Sequence, residues 1–137
     1  MGRIKMIDSR TGSILLDNGN IVLNSKIAPN ELMATSLYKG GSVDPNYLLK
    51  DTQEINGKIF LLTLFFKGKL KEIHLSEADK ELSWENWSEE KEMKKKESHD
   101  KWLLSVLGQE PYQYTWGQVE SVFDKKGCVS SIILRYL

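Results

Sequence analysis

The sequence predicts an α+β fold: a mainly antiparallel β-sheet built from hairpins and packed by one long helix. Two observations carry that prediction. Three pairs of apolar, strand-like runs are joined by short Gly-containing turns, and a single long stretch near residues 88–107 has helix signals at both ends. A chain of 137 residues is expected to form a single domain, 1–137, with a core that needs no disulfide or metal.

Arg3 to Asp8 reads as a first strand, closed by the turn residues Ser9-Arg10-Thr11-Gly12. Asn18-Gly19 then sits between Ile14-Leu15-Leu16 and Ile21-Val22-Leu23. Asn-Gly tolerates the positive φ of a type I′ turn, so this is a hairpin. Pro29 suits the first turn of a short helix near 29–38, ended by Gly40-Gly41-Ser42. Residues 40–57 are rich in Gly, Pro, Asn and Asp and read as a loop, with a brief strand near Tyr47-Leu48-Leu49.

The second hairpin is the predicted centre of the core. Its first arm, Ile59 to Phe66, is apolar on both alternating faces, which requires a cover on both. A helix covers one; the N-terminal strands or a second subunit would cover the other. After Lys67-Gly68-Lys69 the partner arm, Leu70 to Leu75, is more mixed.

The long helix starts near Ser88, a good N-cap, with Glu89-Glu90 in its first turn. Gly108 and Pro111 stop it. Leu104, Leu107, Leu103, His99, Val106 and Trp102 fall in one arc, so the second half should pack on the sheet. The first half, EEKEMKKKE, should project into solvent. A third hairpin, GQVESVFD and CVSSIILRYL, closes the chain.

Nineteen basic and nineteen acidic residues cancel, but they are unevenly placed. Residues 72–92 hold two Lys/Arg and eight Asp/Glu, while residues 1–71 hold ten and six. Such a stretch would steer a basic partner. The carboxylates at its end, Glu89, Glu90 and Glu92, are accounted for by the helix N-terminus alone. The same segment carries Trp84 and Trp87, three residues apart among Glu81, Glu85, Glu89 and Glu90. Tryptophan beside charge is common at the centre of protein interfaces, though it equally anchors loops onto sheets. The candidate partner-binding residues are therefore Glu72, Glu77, Asp79, Glu81, Trp84, Glu85, Trp87 and Glu89. Trp102 is expected in the core, and Trp116 under the helix C-terminus.

Catalytic and cofactor patterns are not found. There is no phosphate loop, no nucleophile elbow and no H-E-x-x-H. Two histidines and one cysteine, Cys128, make a poor zinc site, and no cofactor is expected. His74 and His99 are the only general acid–base candidates. His99 sits in the apolar arc of the helix, where a buried, hydrogen-bonded role is expected. His74 pairs with Glu72 at i and i+2 on one strand face. Lys94-Lys95-Lys96 is flanked by Glu92 and Glu97, the pattern of a salt-bridged helix face rather than a nucleic-acid site. The longest apolar run is too short to span a bilayer, no signal peptide is recognised, and the lone cysteine fits a reducing compartment. A cytoplasmic protein is expected.

The C-terminal part, roughly residues 58–137, resembles a pattern found among small bacterial proteins. It comprises Phe65-Phe66-Lys67-Gly68-Lys69-Leu70 with Ile73, then Trp84, Trp87-Ser88-Glu89, Glu92, Lys95-Lys96, His99-Asp100, Trp102-Leu103 and Gly108. It closes with Trp116-Gly117, Val119, Ser121, Asp124, Gly127 and Ser131-Ile132. Similar proteins occur as immunity-type partners of secreted polymorphic toxins, in contact-dependent growth inhibition and Rhs-like systems. The resemblance implies a non-catalytic inhibitor that covers the active site of a toxin C-terminal domain, for example a basic nuclease. Two other classes stay open: a binding module that homodimerises through Ile59–Phe66, and a small enzyme using His74 or His99.

Overall fold

The computed structural model describes residues 6–16, 20–78, 89–109, 111–124 and 129–137. Its elements in chain order are β1 (Met6–Asp8), β2 (Ser13–Leu16), β3 (Ile21–Leu23), α1 (Pro29–Met33), β4 (Asn46–Leu48), β5 (Gln53–Ile55), β6 (Lys58–Lys67) and β7 (Lys69–Glu77). There follow α2 (Glu89–Leu107), β8 (Gln113–Tyr114), β9 (Gly117–Asp124) and β10 (Val129–Tyr136). The α+β prediction holds, and the strands pair antiparallel throughout.

Strands β1-β2-β3 form a small sheet, and β4-β6-β7-β10-β9-β8 a large one, in which β5 shares the β6 edge with β4. In the first hairpin Leu16 faces Ile21 across β2 and β3; Asn18-Gly19 lies outside the described residues. The short helix ends at Met33, five residues before the predicted end at 38. Thr35 Oγ accepts from the backbone N–H of Leu37 and donates to the Leu32 carbonyl, competing with helix continuation. Strand β5, in a polar segment read as loop, is set by its pairing with β6 rather than by its own sequence.

The centre is the β6–β7 hairpin. Phe60, Leu62, Leu64 and Phe66 point inward from β6; Leu70, Ile73 and Leu75 point inward from β7. The three-residue step from Leu70 to Ile73 would break a regular alternation. It is absorbed by a bulge: Phe66 pairs with Leu70 but Phe65 with Glu72, leaving Lys71 unmatched. Ile132, Leu134 and Tyr136 of β10 and Val119 of β9 complete the inner face.

Two covers lie on that same face. Helix α2 packs over β9 and β10, with the Trp102 ring edge-on to Phe60 at 4.9 Å. Trp102 Nε1–H donates to the carbonyls of Ile55 and Asn56 at 3.2 and 3.3 Å. The small sheet covers the remainder. Tyr136 Oη–H donates to the Gly12 carbonyl at 2.6 Å, and Trp116 Nε1–H to the Ser9 carbonyl at 2.8 Å. Burial pushes the Tyr136 hydroxyl far above its ordinary range, so it stays a donor. Trp116 therefore packs on the N-terminal sheet, between Tyr114 and Tyr136, and not under the helix C-terminus as expected. Gly12 has φ +74, and a Cβ there would fall 2.4 Å from the Trp116 ring. Only glycine fits that contact.

The inward stripe of α2 differs from the predicted arc. It runs Glu92, Lys95, His99, Trp102, Leu103, and Leu104, about 120° round from Glu92, is 54% exposed. The N-terminal half of the helix does not project freely. Glu92 is 1% exposed: its Oε1 accepts the Ser130 N–H at 2.9 Å, and its Oε2 meets Lys95 Nζ at 3.3 Å. Its own carbonyl accepts from Ser130 Oγ–H. The stripe is polar at one end, so the apolar periodicity recorded only the other end.

Candidate partner-binding face

Because α2 and the small sheet share one side, the opposite side of the large sheet carries no covering element among the described residues. The expected second cover for β6 is not supplied by the N-terminal strands. Leu48, Ile59 and Leu61 remain 56%, 45% and 39% exposed. They are contiguous: Ile59 and Leu61 are i, i+2 on β6, and Leu48 faces Thr63 from β4.

Away from this apolar margin the face turns polar in two cross-strand rows. One runs Thr63, His74, Ile133, Glu120; the next runs Phe65, Glu72, Arg135, Gln118. His74 Nε2 lies 2.9 Å from Glu72 Oε1, and its ring packs on Phe65 at 4.4 Å. Arg135 sits between two carboxylates. Its Nη1–H donates to Glu120 Oε2 at 3.0 Å, and its Nε lies 3.6 Å from Glu72 Oε2. Gln118 Nε2–H donates to the other Glu120 oxygen at 2.6 Å. Strands β7, β9 and β10 thus hold these polar groups in fixed places, with side chains about one-third exposed.

The acidic stretch does not stay together. Glu72 and Glu77 point to opposite faces of β7, because their separation of five is odd. Glu72 joins the open face. Glu77 lies on the covered side, where its Oε1 accepts from Lys58 Nζ at 3.1 Å. Lys58 also donates to Ser98 Oγ of α2 at 2.6 Å. Glu92 is buried, as described above, and Glu90 pairs with Lys94 at 3.6 Å. Asp79, Glu81, Trp84, Glu85, Trp87 and Ser88 lie outside the described residues; Glu89 opens α2, and its side chain is likewise undescribed. Sequence reasoning did not single out Glu120, Arg135 or Gln118. The period-two alternation of β9 and β10 was the available signal, but the register that joins them to Glu72 was not.

The two histidines separate clearly. His99 is buried, and its Nε2 accepts the N–H of Glu77 at 3.1 Å. Desolvation by burial lowers its pKa from 6.5 to about 4, with the Lys95 and Lys58 charges adding to the shift and Glu77 and Asp100 opposing it. Its side chain has no exposed surface. His74 is half-buried beside Glu72 on the open face. At the edge of β9 beside α2, a polar cleft of about 330 Å³ is lined by Lys96, Asp100 and Leu103 of the helix and by Gln118, Val119, Glu120 and Ser121 of the strand. Lys96 and Asp100 neutralise each other there at 3.0 Å. Among the described residues no three His, Cys, Asp or Glu side chains converge on a metal position, and no helix is long and apolar enough to cross a membrane.

No known protein family and no curated protein matches this sequence. Its fold is similar to that of a chain in the solved structure of Rhs1-CT in complex with cognate immunity protein RhsI1. The TM-score is 0.60 at 15% identity, over 96% of this chain and 86% of that one. The likeness extends to the N-terminal strands and α1, beyond the segment that carries the sequence resemblance.

Proposed function

We propose that this chain is an immunity-type protein that binds a cognate toxin C-terminal domain and neutralises it by covering its active site. The observation that carries the reading is the likeness of fold, along nearly the whole chain, to a chain from a complex of an immunity protein with its Rhs1-CT partner. The sequence pattern over residues 58–137 supports it independently. So does the half-exposed sheet face, on which an apolar margin adjoins a charged cluster.

On this reading the chain acts in the cytoplasm without a cofactor. Its partner is a protein, with a basic nuclease domain the best fit to the acidic stretch. Glu72, Asp79, Glu81, Glu85 and Glu89 steer that partner, and Trp84 or Trp87 anchors it. Glu77, held by Lys58, contributes least. The test is co-expression with the C-terminal domain of a secreted Rhs-type or contact-dependent inhibition protein encoded beside this chain. Growth rescue together with a complex that survives purification is the expected result. Absence of both, with each protein soluble, removes the reading.

A second reading is favoured by one observation, the exposed Leu48, Ile59 and Leu61. On it the chain homodimerises through this face, and its mass in solution rises with concentration.

A further inference from the structure

Strand β9 is paired along its whole length on one side only. There β10 follows it from Gly117 to Asp124 with no shift of register. On the other side β8 pairs only Gln113 with Gln118 and Tyr114 with Gly117. One further bond runs from the Val119 N–H to the Tyr112 carbonyl at 2.9 Å. Pro111 comes next, has no N–H to give, and the pairing stops. The Val119 bond also fixes the phase of the strand. Alternation turns the peptide N–H and C=O of Ser121 and Phe123 the same way, off the edge, while those of Glu120 and Val122 face β10. Among the described residues nothing pairs with the edge-facing groups of Ser121 and Phe123.

We propose that an extended segment of the partner domain adds to the large sheet along this edge of β9, as an antiparallel strand lying end to end with β8. The inference rests on the immunity-type reading and specifies a backbone contact through which that reading would work. Two donors and two acceptors, about 7 Å apart along a strand, match an extended peptide backbone. The cleft walled by Lys96, Asp100 and Leu103 of α2 lies beside them. Ser121 shares the covered side with Val119, and its Oγ is buried with no hydrogen-bond partner. The incoming residue opposite Ser121 exchanges both backbone bonds with it and carries its own side chain on that same side. A Ser, Thr or Asn there satisfies the orphaned hydroxyl.

The other edges offer less. Strands β1, β3, β4 and β5 are three residues each. On β1 the Ile7 N–H is already taken by Asn56 Oδ1 at 3.2 Å. Strand β9 carries no proline, no lysine and no bulge, the devices that shield an edge from pairing. A second copy fits less well than a foreign segment, because twofold pairing of β9 with itself brings a second α2, with its Lys96 and Asp100, to the cleft that the added strand has to fill.

The decisive experiment is residue-resolved amide exchange of the wild-type chain, free and bound to the toxin domain encoded beside it. The Ser121 and Phe123 amides should exchange fast in the free chain and at least ~10-fold more slowly in the complex. Those of Glu120 and Val122, bonded to β10, should be slow in both. Two variants add affinity. Ser121→Pro removes the edge-facing N–H and no bond to β10, a position where an edge strand tolerates proline, and should weaken binding ~30-fold. Ser121→Ala should leave thermal stability unchanged yet weaken binding ~5-fold, a split that a merely structural hydroxyl would not give. Should Ser121→Pro fail to fold, the wild-type exchange comparison decides alone. If the wild type binds while both amides exchange as in the free chain, the partner docks elsewhere: the inference falls and the immunity reading stands. If the wild type neither binds nor rescues growth, both fall. Slowing of the two amides in the chain alone, rising with its concentration, assigns the edge to a second copy and overturns the inference.

Discussion

His99 Nε2 accepts the backbone N–H of Glu77 at 3.1 Å, so helix α2 is fastened to the end of β7 by a histidine that must stay neutral there. A protonated imidazole has no lone pair to accept that bond. The folded pKa of about 4 against an ordinary 6.5 fixes the pH dependence. Above pH 6.5 the contribution to stability is complete. As pH falls from 6.5 toward 4 the unfolded chain gains a proton that the folded chain refuses, and stability declines by about 3 kcal/mol. Urea midpoints at pH 7.5 and 4.5 should differ accordingly. His99→Gln should flatten the slope; an unchanged slope would show that other groups set it.

Glu92 is the second fastening of the same helix. Truncation by Glu92→Ala leaves the Ser130 N–H and the Lys95 ammonium without their buried partner. The expected cost is about 3 kcal/mol. Glu92→Gln keeps an acceptor for Ser130 and should cost roughly half as much. Chemical denaturation of both variants checks the order; equal, small losses would mean that Glu92 is not the anchor.

Gly12→Ala combines a positive φ with a clash against the Trp116 ring, whereas Gly68→Ala, at φ +78, meets open space. The two variants separate backbone strain from contact. About 1 kcal/mol is expected at Gly68 and about 3 kcal/mol at Gly12. Thermal melting of the pair reads the difference, together with a change in Trp116 fluorescence for Gly12→Ala alone.

Glu72 and Glu77 should behave as opposites. Glu77→Gln weakens the Lys58 contact beneath α2 and should cost about 1 kcal/mol of stability, with little effect on partner affinity. Glu72→Gln should leave stability within about 0.5 kcal/mol and weaken a verified complex. Melting curves and binding titrations on the same preparations decide; matching effects in both assays would dissolve the distinction.

The hairpins were legible because Gly-containing turns and alternating apolar residues report local geometry. The β6–β7 pair, Leu16 facing Ile21, and the stop at Gly108 all follow from neighbours in sequence. Helix α2 was legible in existence and extent but not in orientation. Its inward stripe begins with Glu92 and Lys95, and a buried ion pair leaves no apolar signature. The candidate face was legible only in pieces. Both faces of β6 read as apolar, and nothing local says which one receives α2. The acidic stretch read as one patch because charge was counted along the chain. Strand alternation sends Glu72 and Glu77 apart, and register brings Glu72 to Arg135, 63 positions away.

The bulge at Lys71 makes β7 unequal in its tolerance of length change. Removing that one residue would turn the β6–β7 ladder regular and keep Leu70, Ile73 and Leu75 on the inside. Removing His74, three positions on, would instead put the residues on either side of the gap out of phase and carry one part of the strand's core set to the open face. A shorter relative of this protein is therefore expected to have lost its residue at the bulge.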